Sequence, residues 1–544
     1  MTMSSQQRRI TTDLSADQTI ADDVVHRRRW AILAVLSLSV FLVVVDNTIT
    51  NVALPTLARD LDATTSQLQW IVDSYSLVFA GLLLAFGSLG DRLGRKGALQ
   101  IGLATFAVFS TLAAFSQSSG QLIAARAAMG IGAALVFPAT LAILTNVFTV
   151  PAERAKAIGI WSATVGLAVA LGPVSGGWLL EHFWWGSVFL VNVPIVAGAL
   201  LVGRRLLPTS RDPAAGRFDP VGLISSVVAV ALLVYTVIEA PKHGWDSAVT
   251  LGGFTVAAAL VYAFVAWERR RPDPMLDVRI FASARFSAAC VAVAVAFFAL
   301  FGFIFLITQY FQVVRGYGTL SAGVHTLPFA VGAGVAAPVA ARLALRYGTK
   351  AIVTGGLASM ATGFAWASTL GVDSAYWGPV VGSMVLIAAG LTLTTAPATE
   401  AIMGALPKEK AGIGSAVNDT ARELGGTFGV AVVGSVFSSI YGPKLAQLLS
   451  GIPIPAPAMA AAQESVVAAA EVADQAPATA RGTILDAARS AFLDGMAAGC
   501  RVAALAAILG ALAALTCLPN RTDLEADSDH ADTPLTAASS TASH

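Results

Sequence analysis

Fourteen stretches of this chain are each about twenty residues long or more and mostly apolar. They run near 30–52, 68–88, 97–116, 120–146, 153–180, 187–207, 220–240, 248–268, 286–313, 322–343, 350–371, 376–404, 411–440 and 496–518. A helix that crosses the hydrocarbon core of a bilayer needs about 20 such residues. Inside lipid each backbone N–H and C=O must find its partner within the protein, which leaves helices as the natural form for segments of this length. The expected fold is an all-α polytopic membrane protein with 14 transmembrane helices. Composition points the same way: 56% of residues are hydrophobic and only 12% charged, about half the charge of a soluble domain. A soluble enzyme, a nucleic-acid binder and a disordered scaffold are thereby excluded. The 34 basic and 33 acidic residues nearly cancel, so bulk charge implies no partner. The first apolar segment is too long for a signal-peptide core and has no small-residue cleavage site after it, so it is expected to be retained.

Where the charges sit is more informative. With the N-terminus inside, 25 of the 34 Lys and Arg fall on inner segments and six on outer loops, a bias that sets orientation. Both termini are expected in the cytoplasm of a multi-pass plasma (inner) membrane protein. The chain also echoes itself. Pro138-Ala-Thr-Leu-Ala-Ile-Leu144 returns as Pro397-Ala-Thr-Glu-Ala-Ile-Met403, Pro151–Ala155 as Pro407–Ala411, and Asp91–Lys96 more weakly as Leu345–Lys350. Echoes at nearly one offset imply two pseudo-symmetric six-helix bundles with two helices inserted between them. Parallel repeats of this kind are a transporter architecture with the substrate site between the halves. The expected organisation is a disordered tail over 1–29, an N-terminal bundle over 30–207, inserted helices over 220–268, a C-terminal bundle over 286–518 and a second disordered tail over 519–544. An extracellular helical hairpin is expected at 441–495, with helices near Ala458–Ala473 and Ala480–Leu493; it either decorates the outer rim or acts as a lid.

Charges within a bilayer are costly and mark functional candidates. Asp46 in the first segment, Asp73 in the second and Arg126 in the fourth are expected at similar depth in the outer half. An acid beside an arginine stays ionised until a proton or a cation displaces the pairing; a purely structural ion pair is the competing reading, and Asp73 could instead reach the outer surface. In the thirteenth segment Asp419 and Arg422 are three residues apart and can pair on one face, which Glu423 shares. Gly166, Gly172, Pro173, Gly176 and Gly177 in the fifth segment suggest a bent, closely packed helix. The loop Gly87-Ser-Leu-Gly-Asp91-Arg92-Leu-Gly94-Arg95-Lys96 can turn tightly and latch onto a neighbouring helix end, although anchoring by positive charge alone explains its basic residues. Trp161, Phe305, Tyr310 and Met360 could contact flat apolar ligands or simply pack. His325 reads as packed or pore-lining rather than as a ligand. Cys290, Cys500 and Cys517 all lie in apolar stretches, and the last two, about 25 Å apart on one helix, cannot bridge each other.

There is no phosphate loop, so ATP hydrolysis is not encoded, and no His-Glu-x-x-His, Cys-x-x-Cys or Gly-x-Ser-x-Gly is present. No metal, cofactor or catalytic residue is expected, and the chain is not expected to be an enzyme.

The loop Gly87–Lys96 is similar to the signature loop of the major facilitator superfamily, and Arg126 with Gly130 and Gly132 resembles its helix-4 motif. Gly172-Pro-Val-Ser-Gly-Gly177 resembles the motif associated with antiport in drug exporters. Asp46-Asn-Thr-Ile-Thr-Asn-Val-Ala-Leu-Pro55 and the run Trp184–Pro194 look like those of the fourteen-helix drug/proton antiporters. Gln69-Trp-Ile-Val-Asp73-Ser-Tyr, Glu464-Ser-Val-Val and the long last outer loop resemble the quaternary-ammonium antiseptic exporters. The resemblance covers about residues 30–518. It implies export of hydrophobic, often cationic compounds in exchange for protons, with Asp46, Asp73 and Asp419 matching the family's acids. Members that handle divalent cations often carry a further acid on the tenth helix, nearest here to Ala333; that helix has none, which favours monovalent cations or neutral lipophiles.

The expected function is proton-coupled multidrug antiport by alternating access, working as a monomer in membrane lipid on small lipophilic drugs or dyes. Asp46 and Asp73 would take cation or proton in turn, Asp419 would add a proton site and Arg126 would tune the acids. A dedicated exporter of an endogenous metabolite, antibiotic or lipid would share the fold. A non-transporting membrane sensor is the alternative from another class.

Overall fold

Neither glycine nor proline occurs before Pro55, so nothing interrupts the first helix, α1 (Ser5–Asp60). The computed structural model describes residues 5–210, 219–272, 274, 276–405 and 411–518. Helix α1 corrects one expectation: residues 5–29, read as a disordered tail, continue the first helix because no breaker separates them from it. The second tail, 519–544, lies outside the described residues.

The N-terminal half continues through α2 (Thr65–Leu93), α3 (Arg95–Ala114), α4 (Ser119–Val147), α5 (Pro151–His182), the short α6 (Ser187–Leu190) and α7 (Asn192–Leu206). The inserted pair is α8 (Pro220–His243) and α9 (Ala248–Arg270). The C-terminal half comprises α10 (Ala284–Gln309), α11 (Thr319–His325), α12 (Leu327–Tyr347), α13 (Thr349–Ala367), α14 (Val381–Gly404) and α15 (Ala411–Leu448), then α16 (Ala456–Glu464), α17 (Val466–Gln475) and α18 (Ala478–Cys517). Among the described residues, 12 helical spans are long and apolar enough to cross a membrane. The second and eleventh expected segments form α2, of 29 residues, and α13, of 19, which stand outside that set. Lys350, threonines, glycines and a serine dilute α13.

Turn chemistry matches the element ends. Thr64 caps α2 in a reciprocal capping box with Gln67. Gly94, at φ +115°, joins α2 to α3 in a left-handed conformation that suits glycine. Within each half, helices approach closely where side chains vanish. Gly132 meets the Gly102 backbone between α3 and α4, and Gly429 meets the Phe298 backbone between α10 and α15. In lipid such small-residue contacts supply packing that the hydrophobic effect does not.

The hairpin differs from its expected form. Its first helix is broken at Ser465, whose extended backbone and side-chain oxygen cap α17 by accepting from the Val467 and Ala468 amides. Its expected second helix is the outer extension of α18, a 40-residue helix of about 60 Å that nothing interrupts. Tyr441 OH donates to Ala462 O at 3.1 Å, and Thr65 Oγ1 donates to Glu464 O at 2.6 Å. The hairpin thus rests on the start of α2 in the opposite half.

We call the end bearing the Lys- and Arg-rich turns the inner end. The two halves meet along α2 and α15 and along α5 and α11. Among the described residues their mutual hydrogen bonds gather toward the outer end. Gln312 Nε2 donates to Val52 O at 2.9 Å, Thr319 Oγ1 to Gly177 O at 3.0 Å, and the Leu320 amide to Glu181 Oε1 at 3.2 Å. Toward the inner end Ile160 and Leu167 of α5 and Val335 and Val339 of α12 are exposed. The described hydrogen bonds that join the halves thus lie toward the outer end.

Candidate functional site

Asp46 and Arg126 are buried, at 1% and 0% exposure. Arg126 Nη1 donates to Asp46 Oδ2 in a short ion pair. The other carboxylate oxygen, Oδ1, accepts from Asn192 Nδ2 at 2.8 Å. That amide also donates to Ser110 Oγ at 3.0 Å, and Ser110 donates to Phe189 O at 2.7 Å. Arg126 Nε donates to Ile71 O at 3.2 Å, and its guanidinium lies 4.3 Å from the Tyr75 ring centroid. Tyr75 OH in turn donates to Val43 O at 3.2 Å. One carboxylate therefore ties α1, α2, α3, α4 and α7 together. A buried pair holds only with good geometry and further hydrogen bonds, and these partners supply them. Sequence reasoning missed Asn192 and Ser110. Each is a polar residue inside an apolar segment, and Asn192 lies within Trp184–Pro194, but neither carries a charge to draw notice.

Asp73 is fully buried and does not reach the outer surface. Among the described residues no protein group donates to either of its oxygens. One turn above it, Gln69 Nε2 donates to Val430 O at 3.2 Å and Ala431 O at 3.0 Å on α15. One turn below, Leu77 joins an apolar cluster with Val234, Val237, Ile238 and Ala431. Asp73 lies between them on the same face, so it occupies the seam between the halves. The expectation that Arg126 serves both acids is not met: Arg126 is held by Asp46 and Ile71. Asp73 sits two residues from both Ile71 and Tyr75, about 200° round a helix of 3.6 residues per turn, and so faces away from the arginine.

In α15 Arg422 Nη1 lies 3.5 Å from Asp419 Oδ1, three residues away as expected. Asn418 Nδ2 reaches the same oxygen at 3.5 Å and its own Oδ1 accepts from Thr399 at 3.0 Å. The Arg422 guanidinium lies 4.7 Å from the Phe297 ring centroid. Glu423 is half-buried one turn along α15 from Asp419.

The glycines of α5 make two different contacts. A Cβ at Gly172 would collide with Thr48 and one at Gly176 would press on Ile49, both on α1 in the same half. A Cβ at Gly177 would meet Thr319 O at 2.5 Å and Leu320 Cα at 2.6 Å, across the divide. Gly323 on α11 lies against the Pro173 carbonyl. Within this run Pro173 and Gly177 therefore make an outer contact with the other half, while Gly172 and Gly176 pack within their own. Gly166 meets no neighbour, and α5 runs continuously through Pro173 from Pro151 to His182.

Of the expected latch, the side chains at Gly87, Asp91 and Arg92 lie outside the described residues. The described part docks within its own half. Arg95 Nη1 reaches Ala142 O at 3.5 Å, and Lys96 Nζ donates to Arg204 O and Leu207 O at 2.9 Å each, at the end of α7. Trp161 donates to Thr140 at 3.3 Å, and Phe305, Tyr310 and Met360 are buried packing residues rather than the lining of an open cavity. His325 packs among Tyr317, Tyr376 and Phe311. Cys290 and Cys500 are buried and Cys517 is exposed, all three unbridged. Among the described residues no three His, Cys, Asp or Glu side chains form a metal-binding group.

Residues 36–430 match the family model described as Major Facilitator Superfamily. The chain is 39% identical over 488 residues to the Multidrug efflux pump LfrA of Mycolicibacterium smegmatis, covering 89% of this chain and 95% of that protein. It is 37% identical to the Methyl viologen resistance protein SmvA of Salmonella typhimurium, covering 86% and 93%. It is 34% identical to a Tetracenomycin C resistance and export protein of Streptomyces glaucescens, covering 90% and 91%. Among solved structures it is similar to an inward-facing, unoccupied bacterial homologue of the human lysosomal transporter Spinster, with a TM-score of 0.62 at 18% identity over 91% of this chain and 99% of that one.

Proposed function

The chain belongs to the Major Facilitator Superfamily as a multidrug efflux transporter, and from that premise we propose that it exchanges lipophilic cations or neutral lipophiles for protons by alternating access. It is a transporter rather than an enzyme. One observation carries the coupling: Asp73 is a carboxylate buried in the seam between the halves with no protein donor to either oxygen. An isolated ionised carboxylate is very costly out of water. In this state Asp73 therefore holds a proton or a cation, and reopening the seam releases it. Asp46 is the second site. It exchanges its proton only when the Arg126 and Asn192 bonds rearrange, which couples its charge to the packing of α1, α4 and α7. Asp419 and Glu423 add carboxylates on the C-terminal side, with Arg422 as charge partner.

The exchange needs no cofactor. We read fourteen helices crossing the inner membrane, α2 and α13 included, with both termini cytoplasmic and the monomer as the working unit. Pro173 and Gly177 of the Gly172–Gly177 run form the outer closure, and the loop from Gly87 through Asp91, Arg92, Gly94 and Arg95 holds the inner ends of one half.

Charge arithmetic makes the number of protons consequential. Exchange of one proton for one monovalent cation moves no net charge, so only the pH difference drives it. A second proton lets the membrane potential contribute about 2.3 kcal/mol per 100 mV. Two separate carboxylate sites on different helices suit the second case. The lack of an acid near Ala333 favours monovalent substrates, and methyl viologen, for which one relative is named, is the dication that tests this preference. A dedicated exporter of one natural product is the second reading, favoured by the relative named for tetracenomycin C export.

The deciding experiment is proton-driven uptake of a monovalent lipophilic dye into inverted vesicles, comparing wild type with Asp46→Asn and Asp73→Asn. Each variant is expected to lose driven uptake. Unchanged rates in both would remove the mechanism.

A further inference from the structure

The inserted helices are not needed to build two six-helix halves, and α9 is largely exposed. Against it lies a groove of about 460 Å³ lined by Leu233 of α8 and by Phe254, Ala257, Ala258, Val261, Tyr262 and Val265 of α9. Of these, Phe254, Ala258, Val261 and Val265 are spaced four, three and four residues apart, which keeps them on one face. Four residues further along the same face comes Arg269. Arg269 lines a second cavity, of about 450 Å³, with Val278, Arg279, Phe281 and Ala282. From Ala258 to Arg269 is about 16 Å along the helix, close to the depth of one bilayer leaflet.

The charged end of this surface is left positive. Arg279 Nη2 donates to the Arg269 backbone carbonyl at 3.1 Å, and both arginines line the second cavity. Among the described residues neither forms an ion pair with a carboxylate. Of the nearby acids, Asp277 accepts from the Arg279 amide at 3.2 Å and so sits beside it, and the other two are occupied elsewhere. Asp219 accepts from Val221 N, Gly222 N and Trp267 Nε1 at 3.0–3.1 Å and pairs with Arg271 at 3.4 Å, while Glu268 turns inward to accept from Leu276 N at 3.1 Å. Trp267, 37% exposed, sits at the same level, where indoles mark the membrane–water interface.

An apolar groove of leaflet depth that ends at a cavity lined by Arg269 and Arg279 matches an amphiphile with an acyl tail and an anionic head. We propose that this face of the inserted pair is a binding site for one anionic phospholipid, its phosphate held by Arg269 and Arg279 and one acyl chain laid along Ala258, Val261 and Val265. Basic pockets at the inner membrane surface recognise such headgroups by charge, at about 1 kcal/mol for each Lys or Arg. The proposal is independent of what the protein exports.

The test is native mass spectrometry of the full-length, delipidated protein titrated with dioleoyl phosphatidylglycerol or with dioleoyl phosphatidylcholine, which has the same chains. Two basic residues at about fivefold each predict a preference of roughly twenty-five-fold for the first bound phosphatidylglycerol. Arg269→Gln/Arg279→Gln is expected to abolish that preference. Ala258→Trp, which fills the groove and leaves the charges in place, is expected to weaken both lipids. Arg204→Gln/Arg205→Gln, an exposed basic pair at the end of α7, is expected to change neither. Equal binding of the two lipids by wild type, an unchanged preference in Arg269→Gln/Arg279→Gln, or an equal loss in the α7 control would overturn the site. So would a dimer that Ala258→Trp disperses, since the groove would then seat a second copy.

Discussion

Consider the removal of Arg126 and Asp46, singly and together. Arg126→Met takes away the ion pair, the bond to Ile71 O and the cation over Tyr75, and leaves Asp46 with Asn192 as its remaining side-chain donor. Asp46→Asn leaves a buried arginine with no counter-charge and can turn an amide donor toward the Asn192 amide. Breaking a buried pair from one side costs about 3–5 kcal/mol, because an uncompensated charge stays behind. Asp46→Leu/Arg126→Met replaces the pair with apolar groups. It is charged instead with the partners left over, Asn192 Nδ2 and Ile71 O, at about 1–3 kcal/mol each if they find no substitute. Since Asn192 keeps its bond to Ser110, the lower end applies, and the double variant should be more stable than either single one. Thermal unfolding in detergent, followed by the fluorescence of the 10 tryptophans, gives the ranking. Vesicle uptake of the same proteins separates stability from function: the double variant should regain folding without regaining driven transport. A double variant that loses the sum of the two single losses would refute the reasoning, because additive losses mean that the two residues are not coupled and that neither single variant leaves an uncompensated charge behind.

Gly323→Ala places a methyl against the Pro173 carbonyl and should loosen the outer closure. Alkylation of an introduced Gln312→Cys, in a background without the native cysteines, should rise several-fold, and unchanged labelling would deny that this contact closes the outer end. Burial works against the charge of Asp219, but the Gly222 and Val221 amides, the Trp267 indole and Arg271 outweigh it and hold its carboxyl below the usual carboxylate range. Its contribution is present at neutral pH and is lost as pH falls through that lowered value. Asp219→Ala should therefore cost about 1 kcal/mol near neutrality, and the gap from wild type should narrow in acid; a gap independent of pH would contradict the assignment. If two protons exchange for one monovalent cation, an imposed potential, positive outside relative to the substrate-donating side, should stimulate export at zero pH difference, and no response would point to one-for-one exchange. Methyl viologen should be a poorer substrate than a monovalent dye of similar size in competition uptake, and equal handling would show that the missing acid near Ala333 does not select.

The sequence by itself determined the solvent, and through it the fold class. Runs of apolar residues too long for a soluble core oblige the backbone to satisfy itself as helices. The echoed motifs announced two halves. Asp46, Asp73, Arg126 and Asp419 stood out because a charge within an apolar run is conspicuous in one dimension. What the tertiary structure decided was who meets whom. Arg126 chose Asp46 over Asp73 because Ile71 and Tyr75 point into the N-terminal bundle and Asp73, two residues away, points out of it into the seam. Asn192 and Ser110 entered the site because packing brings α3 and α7 to α1, and an uncharged polar residue is unremarkable until its neighbours are known. The same holds for the divided glycines of α5, where two positions serve α1 and a third serves α11. Sequence periodicity fixes the angle of a side chain about its own helix, but the partner at that angle depends on how helices far apart in the chain are arranged around one another.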